Sequence, residues 1–461
     1  MYPVLLQNLI LPIAERALGW PILRHLSEIL ETQWWDEKRL RELQLGKLSQ
    51  TLLSARRSVP LFQEILGGVP ESRIQDEPLS VYAELPYLVK EDVRENFPHR
   101  ILSKDFSPSQ YKKTSTAGST GKPLEYVVSN SGYGAWWAHH LRAFHAAGYS
   151  LGDRIVYIAS VRDLTPTRRI RDFLIRQIQL DAYESSDRLF ELYIEKIRKF
   201  RPRILRGYPE MLFLLADLVE RKGITDIRPA SVITNSNKLH EFQREYVEKV
   251  FHAPVFDLYS CPESGALAFE CEKHQGYHLA LEHGLVELAD EKGRPAADGT
   301  GAIVGTNLDN AAMGIIKYDT GDFGTASGRS CTCGRGLPLL DAVEGRAHSL
   351  LVTKDGRYLH GTLFEGPFLH TETFKELGQW VDHIQFVQES EDLLVIKMVR
   401  ERDMNESGLN DAVEQVKKIL GPGMTVEIQF VEKIDKPPSG KRQLVVSKVL
   451  PERMKDRLGL K

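Results

Sequence analysis

Between Tyr126 and Phe256, short apolar runs alternate with longer segments of helical period. Ile155-Val-Tyr-Ile-Ala159 and Ser231-Val-Ile-Thr234 read as strands, and Phe190 to Lys199 and Glu241 to Phe251 read as helices. This alternation leaves few options. Parallel strands need long crossovers, and the crossover helices cover both faces of the sheet. The expected class is therefore α/β, with mixed and parallel sheets and helices. From Gly284 to Asp322 the pattern turns strand-rich, with Leu285-Val-Glu-Leu288 and Gly301-Ala-Ile-Val-Gly305. Beyond Gly345 a smaller α+β unit is expected. Its strands are His383 to Val387, Leu393 to Lys397 and Thr425 to Phe430, and its helix is Asn410 to Leu420. A boundary near Gly345 thus separates a large unit, 1–345, from a small one, 346–461. The first hundred residues read as helical and charged, as in Glu28 to Leu53, and are punctuated by Pro60, Pro70, Pro78 and Pro86.

Composition narrows the class of protein. A chain of 461 residues, 42% hydrophobic and 27% charged, has ample material for buried cores and reads as soluble and globular. A net charge of -3 gives no electrostatic reason to expect a nucleic-acid partner. No apolar run reaches membrane-spanning length, so no stable span is expected. Met1 to Ile10 is apolar but lacks a basic n-region and a cleavage site, so it is not read as a signal peptide. It is expected to pack on the body of the protein. An interfacial helix is the alternative, with Trp20, Trp34 and Trp35 downstream. Four cysteines in so long a chain do not make a disulfide scaffold, and a reducing cytoplasm is expected.

The densest chemistry lies in Thr114-Ser-Thr-Ala-Gly-Ser-Thr-Gly-Lys-Pro123. Gly118 and Gly121 let the backbone approach an anion. Ser115, Thr116, Ser119 and Thr120 offer hydroxyls, and Lys122 adds a positive charge. This is the chemistry of a triphosphate-holding loop. It is not a Walker A loop, because two residues separate the glycines and Pro123 follows the lysine. Proline cannot donate a backbone hydrogen bond, so the segment is expected to leave into a strand, Leu124 to Val128. Alone, the same residues also describe a flexible surface loop.

Four further segments follow in order: Tyr259-Ser-Cys-Pro-Glu263, Tyr318-Asp-Thr-Gly-Asp322, Gly345-Arg346 and Pro438-Ser-Gly-Lys441. The set resembles the adenylate-forming superfamily of acyl-CoA synthetases, adenylation domains and luciferases. Within it the chain looks most like the phenylacetate-CoA ligase family, in the branch of capsular polysaccharide biosynthesis proteins, and the resemblance covers nearly the whole chain. It implies a large adenylation core followed by a small mobile C-terminal domain. It also implies ATP, Mg²⁺ and coenzyme A as cofactors or co-substrates, and a small carboxylic acid as substrate. Ser115 to Lys122 would wrap the β- and γ-phosphates. Glu263 would hold Mg²⁺, a hard cation that prefers carboxylate oxygen. Asp322 would accept hydrogen bonds from the ribose hydroxyls, and Arg346 would contact ribose or phosphate. Tyr259 would stack near adenine beside Asn235-Ser236-Asn237. Lys441 would bridge the α-phosphate and the incoming carboxylate. Taken one at a time, a solvated Glu263, a turn-capping Asp322 or an exposed Lys441 is the commoner reading. Order and spacing together favour the site.

The chain departs from the family pattern at Ser260 and Pro262, where Gly and Thr or Ser are common. It departs again at Gly314 and Lys317, where Pro and Arg are common, and at His348, in the place of a hinge Asp or Lys. Cys261 is read as a pocket residue rather than a nucleophile, since no base is placed beside it. Tyr133, Trp136, Trp137 and His140 share a helix that either lines an acyl cavity or packs as ordinary core, and Gly207-Tyr-Pro209 resembles a segment near the family's acyl pocket.

Cys271-x-x-His274 and Cys331-x-Cys333 have clip-like spacing that suits tetrahedral zinc held by three thiolates and one imidazole. Four protein ligands would make it a structural site. The cluster also resembles that of zinc-bearing family members. His278 is the rival fourth ligand, and His274 is preferred because Gly-x-His at His278 looks family-like even in members without the cysteines. Unlinked buried thiols are the alternative.

Together these readings describe an AMP-forming ligase that makes an acyl-adenylate and transfers the acyl group to a thiol, coenzyme A first. Transfer to an amine is the main variant. A catalytically degenerate scaffold is the rival, motivated by Pro262 and Gly314.

Overall fold

The computed structural model describes residues 2–116, 124–159, 166–182, 184–185, 187–290, 294–296, 299–344, 350–354, 358–360, 381–400, 406–434 and 445–449. The strands β1 (Tyr111–Ser115) and β2 (Glu125–Ser129) form an antiparallel hairpin that brackets residues 117–123. The expected strand after Pro123 is therefore present.

A sheet of eleven strands carries the large unit. Five of them are parallel: β3 (Ile155–Ala159), β4 (Gln177–Asp181), β6 (Ile204–Gly207), β7 (Ser231–Asn235) and β8 (Val255–Cys261). Between β4 and β6 lies the short strand β5 (Glu184–Ser185), which belongs to another sheet. At β8 the pairing turns antiparallel and continues through β9 (Ala266–Glu270), β10 (Tyr277–Leu279), β11 (Gly284–Ala289), β12 (Thr300–Asn307), β13 (Tyr318–Ala326) and β14 (Leu339–Glu344). The spatial order is β11-β12-β13-β14-β10-β9-β8-β7-β6-β3-β4, so β4 is an edge.

Period-two alternation sorts the parallel strands into two cores. Val156, Ile158, Leu205, Val232 and Val255 pack with the helices Asp187–Phe200, Pro209–Arg221 and Glu241–Phe251. Ile155, Ile204, Ile233, Phe256 and Leu258 face the other way, against Ala143 and Phe144 of the helix Asn130–Ala146. Both faces are covered, as the alternation in the sequence requires.

The charged N-terminal stretch is not one helix. It breaks between Ile22–Thr32 and Glu37–Ser58, where Asp36 caps the second helix by accepting from Arg39 N at 2.9 Å. Residues 2–18 are helical throughout, with a π turn over Leu6–Ile10. The expectation that they pack on the body holds for Leu6, which is buried, but Val4, Leu5, Leu9, Ile13 and Leu18 are exposed.

After Glu344, β15 (Leu350–Val352) pairs with β16 (Tyr358–His360), and β16 pairs with β5. A four-stranded sheet of order β19-β18-β17-β20 follows, built from β17 (Val381–Ser390), β18 (Leu393–Arg400), β19 (Thr425–Phe430) and β20 (Val445–Ser447). The helix Glu406–Leu420 makes the parallel crossover from β18 to β19. Leu351, Leu359, Phe386, Ile396, Val416 and Val445 share its core.

Candidate active site and a cysteine-histidine cluster

Two turns, at the carboxyl ends of β7 and β8, and a stretch within β13 build the site. At the end of β7, Ser236 takes a left-handed φ of +73°, which turns the chain sharply away from the sheet. Asn235 donates to Ser236 Oγ at 2.7 Å and accepts from Arg206 Nε at 3.2 Å. Asn237 donates to Glu210 Oε2 at 3.0 Å, in the first turn of the helix Pro209–Arg221.

At the end of β8, the turn that carries Glu263 is tied down from two sides. Asn307 Nδ2 donates to the carbonyl of Pro262 at 3.1 Å, and Ser264 Oγ donates to that of Cys261 at 3.0 Å. Gly265 has φ +72°, and a Cβ there would stand 2.5 Å from Asn307 Cα, so no other residue fits. In β13, Thr320 Oγ1 donates to Ile303 O at 2.8 Å and accepts from Asp322 N at 3.1 Å. Asp322 Oδ2 then accepts from Tyr259 Oη at 3.0 Å.

Two departures from the family pattern have local reasons. The Lys317 ammonium donates to the carbonyls of Ala83 at 2.9 Å and Leu85 at 3.1 Å, satisfying the end of the helix Pro78–Ala83. A Cβ on Gly314 would meet the Phe62 ring and Val59 at 3.0 Å.

These segments line one cavity of about 320 Å³. It takes in Ser115 and Thr116 from the hairpin, Ser236 and Asn237 after β7, Tyr259 to Glu263 at β8, and Asp322. Glu263 is buried there, and no side chain among the described residues donates to its carboxylate. An unpartnered buried carboxylate suits a hard divalent cation. Burial, then the Asp322 carboxylate, holds the Tyr259 phenol well above its ordinary pKa, so it stays a donor. Cys261 lines the cavity and is buried. Gly118, Ser119, Thr120, Gly121, Lys122, Arg346, His348 and Lys441 lie outside the described residues.

Burial also pushes the Glu210 carboxyl up to about 7. Its folded pKa exceeds the ordinary value of 4.5, so the unfolded chain ionises first as pH rises. Stability is full below pH 4.5 and falls as pH climbs to about 7, by about 3 kcal/mol in all. Glu210→Gln should flatten that fall in urea titrations at pH 5 and pH 8. An equal slope in both proteins would contradict it.

Sequence reasoning did not single out Arg206. It is buried in β6 on the face of the helix Asn130–Ala146, with its guanidinium 4.3 Å from the Tyr157 ring centroid and 4.8 Å from that of Phe144. Among the described residues no carboxylate pairs with it, and its one hydrogen bond is to Asn235. Nearby, Trp136 Nε1 is buried without a partner among the described residues. His140 holds Trp136 O through Nδ1 at 2.9 Å, leaving Nε2 as an acceptor. A buried arginine at the carboxyl end of a strand was the available signal, but Arg-Gly-Tyr-Pro shows its burial only once the sheet is assembled.

The cysteine pairs do meet. Cys271 Sγ lies 3.6 Å from Cys331 Sγ, and Cys333 Sγ lies 3.4 Å from His278 Nε2, with all four donor atoms within 4.8 Å of one another. Ligands at zinc–sulfur distance on a tetrahedron stand about 3.8 Å apart, so the dimensions suit zinc. The imidazole there is His278, which corrects the expectation of His274. His278 sits in β10, hydrogen-bonded between β9 and β14, and its Nδ1 faces Leu337 O at 3.3 Å, which turns Nε2 to the thiols. His274 instead faces Glu270 at 3.6 Å, with φ +48°. The knuckle N–H groups of Lys273 and Arg335 point at Cys271 Sγ and Cys333 Sγ.

His139, His283 and Asp309 also lie close together. There Lys47 pairs with Asp309, and Arg142 donates to His139 Nδ1 at 3.2 Å, so cations of the protein already serve these groups.

Solved structures share this architecture. A 2-hydroxyisobutyryl-CoA ligase in complex with 2-HIB-AMP and CoA in the thioesterification state superposes with a TM-score of 0.61 at 18% identity, over 92% of each chain. Its open conformation gives 0.54 at 17% identity, over 87% of this chain and 90% of that one. The fold is thus that of two-domain CoA ligases solved with an acyl-adenylate. By sequence the chain is similar to the protein CapK of Staphylococcus aureus, 20% identical over 97% of this chain and 98% of that protein. It is 25% identical to the phenylacetate-coenzyme A ligase of Pseudomonas putida, over 72% of this chain and 75% of that enzyme. Residues 351–448 match the CapK C-terminal domain. By sequence, then, the chain is similar to phenylacetate-coenzyme A ligases and to CapK over most of its length.

Proposed function

We propose that this protein activates a carboxylic acid with ATP and passes the acyl group to a thiol, with coenzyme A as the first acceptor to test. A carboxylate oxygen attacks the α-phosphorus, and pyrophosphate leaves. The thiol sulfur then attacks the acyl carbonyl, its proton is lost, and AMP leaves. One observation carries the reading: separate segments of the chain bring Thr116, Asn237, Tyr259, Glu263 and Asp322 onto a single cavity.

In this reading Asp322, oriented by Tyr259 and Thr320, accepts from the ribose hydroxyls. Ser236, Asn237 and Tyr259 frame the base. Ser115, Thr116, Gly118, Ser119, Thr120, Gly121 and Lys122 hold the outer phosphates, and Arg346 contacts ribose or phosphate. Glu263 would hold Mg²⁺, which would supply positive charge to offset that of the phosphates. Lys441, on a mobile unit 346–461, bridges the reacting carboxylate and the α-phosphate. Asp322→Ala should weaken ATP binding by about 3 kcal/mol, roughly a hundredfold, through lost hydrogen bonds to a charged acceptor. Calorimetry showing wild-type affinity would refute the ribose role.

Arg206 bears on the acid. An unpaired guanidinium is costly to bury, and this one lies beside the aromatic helix face and one residue behind the cavity wall. We read it as the partner of a second polar or anionic group on the substrate. Arg206→Met should raise KM for acids with a second carboxylate or hydroxyl by at least about tenfold, while sparing plain aryl acids. A uniform change across both classes would oppose this role.

Cys271, His278, Cys331 and Cys333 would hold zinc as a structural clasp. It joins the segment after β9 to the one before β14, both flanking the strand β10. Four protein ligands leave no open position for chemistry.

A further inference from the structure

The face opposite the active site carries an unusual pairing of charge and apolar surface. Arg154, Arg176, Arg201, Arg203 and Arg228 line a cavity of about 400 Å³ at the amino ends of the parallel strands. Asp153 is the one acid among the described lining residues, and it pairs with Arg203 at 3.2 Å. Arg154, Arg176, Arg201 and Arg228 have no carboxylate of the described residues within 4.0 Å. In a chain of net charge -3, this concentration is local.

Apolar side chains adjoin it. The helical N-terminal segment leaves Val4 60%, Leu9 52% and Ile13 59% exposed, at spacings that put Leu5, Leu9 and Ile13 on one stripe. That segment is fastened beside the arginines: Tyr2 Oη donates to Leu174 O at 2.5 Å, and the Arg176 guanidinium lies 5.5 Å from the Tyr2 ring centroid. Gly152, whose carbonyl accepts from Arg176 at 3.2 Å, faces Pro3 so closely that a Cβ would touch it at 3.0 Å. Phe173 is 79% exposed. It borders an apolar groove along the edge strand β4, rimmed by Arg169, Lys196 and Lys199.

We propose that this face docks on an anionic lipid bilayer, with the N-terminal segment and Phe173 entering the headgroup region and the arginine cavity receiving a lipid phosphate. Amphipathic segments and basic side chains act together in such binding, because each basic residue near an anionic surface adds to the apolar transfer. The exposed apolar groups are mostly aliphatic and cannot stack on bases, which disfavours a nucleic acid. A second copy of the chain would bring like charges together across a two-fold interface, which disfavours self-association. No described helix is long and apolar enough to cross a membrane, so the contact is peripheral. Docking this way leaves the active-site cavity, at the opposite ends of the strands, open to water.

The test is co-sedimentation of the full chain with vesicles of phosphatidylcholine alone, or of phosphatidylcholine with phosphatidylglycerol. The protein should sediment with the anionic vesicles only, and binding should weaken as salt rises. Leu9→Glu/Ile13→Glu and, separately, Arg176→Glu/Arg228→Glu should each lower the partition by about tenfold or more, with circular dichroism and ATP–pyrophosphate exchange unchanged. Protein that stays in solution with anionic vesicles at low salt overturns the proposal. So does equal loss with both vesicle types, protein bound to DNA in preference to vesicles, or a dimer that the Leu9→Glu/Ile13→Glu variant converts to monomer.

Discussion

Lys441→Ala should slow adenylate formation by about a hundredfold or more, the loss expected when a charge that stabilises the transition state is removed. ATP affinity should stay near that of the wild type, because the ammonium is read as acting where carboxylate meets phosphorus rather than on the bound nucleotide. Lys441→Arg keeps the charge but not the geometry of a point ammonium, so it should recover only part of the rate. The readout is isotope exchange between pyrophosphate and ATP, with calorimetry for the nucleotide. An unchanged exchange rate in Lys441→Ala would remove this residue from the chemistry. The contrast with Asp322→Ala is the informative part. One variant loses rate at constant affinity, and the other loses affinity. Such opposite patterns separate a transition-state contact from a ground-state contact.

The second large effect concerns the cysteine cluster. His278→Ala and Cys271→Ser should each abolish stoichiometric zinc, whereas His274→Ala should retain it. The separation follows from placement, since His278 Nε2 stands 3.4 Å from Cys333 Sγ while His274 turns toward Glu270. Structural zinc can contribute on the order of 10 kcal/mol to the domain that holds it. Chelation should therefore lower the unfolding temperature of the wild type and leave that of His278→Ala unmoved. Metal analysis of protein expressed with ample zinc decides the matter. Less than half an equivalent in the wild type would end the assignment, and a loss in His274→Ala alone would restore the first-expected ligand.

The strands and helices of the large unit were legible because burial on both faces writes itself into the pattern. Ile155 to Ala159 and Glu241 to Phe251 are bounded in the structure as the sequence suggests. The break at Gln33–Asp36 was less visible. The broken stretch packs against a segment distant in sequence: Trp35 O lies so near Gly336 that a Cβ there would approach it to 1.9 Å. Glu263, Asp322 and Tyr259 could be named in advance because each belongs to a compact motif. The choice between His274 and His278 could not be made from spacing. Both fall near Cys271, and only the pairing of β10 with β9 and β14 shows which ring reaches the thiols. Arg206 was hidden for a related reason. Whether a strand arginine is buried depends on which helix covers that face, and the covering helix lies sixty or more residues upstream. The exposed stripe of the N-terminal segment was ambiguous too, because an amphipathic pattern does not say whether its apolar side meets protein or lipid.

The most direct measurement is mass spectrometry of an incubation of the protein with ATP, Mg²⁺ and pooled carboxylic acids, including acids with a second polar group. The account predicts a new species with the mass of an acid joined to AMP, formed with release of pyrophosphate and consumed when coenzyme A is added. No adenylate with any acid, together with no nucleotide binding by calorimetry, would contradict it and leave a scaffold that keeps the shape of the family without its reaction.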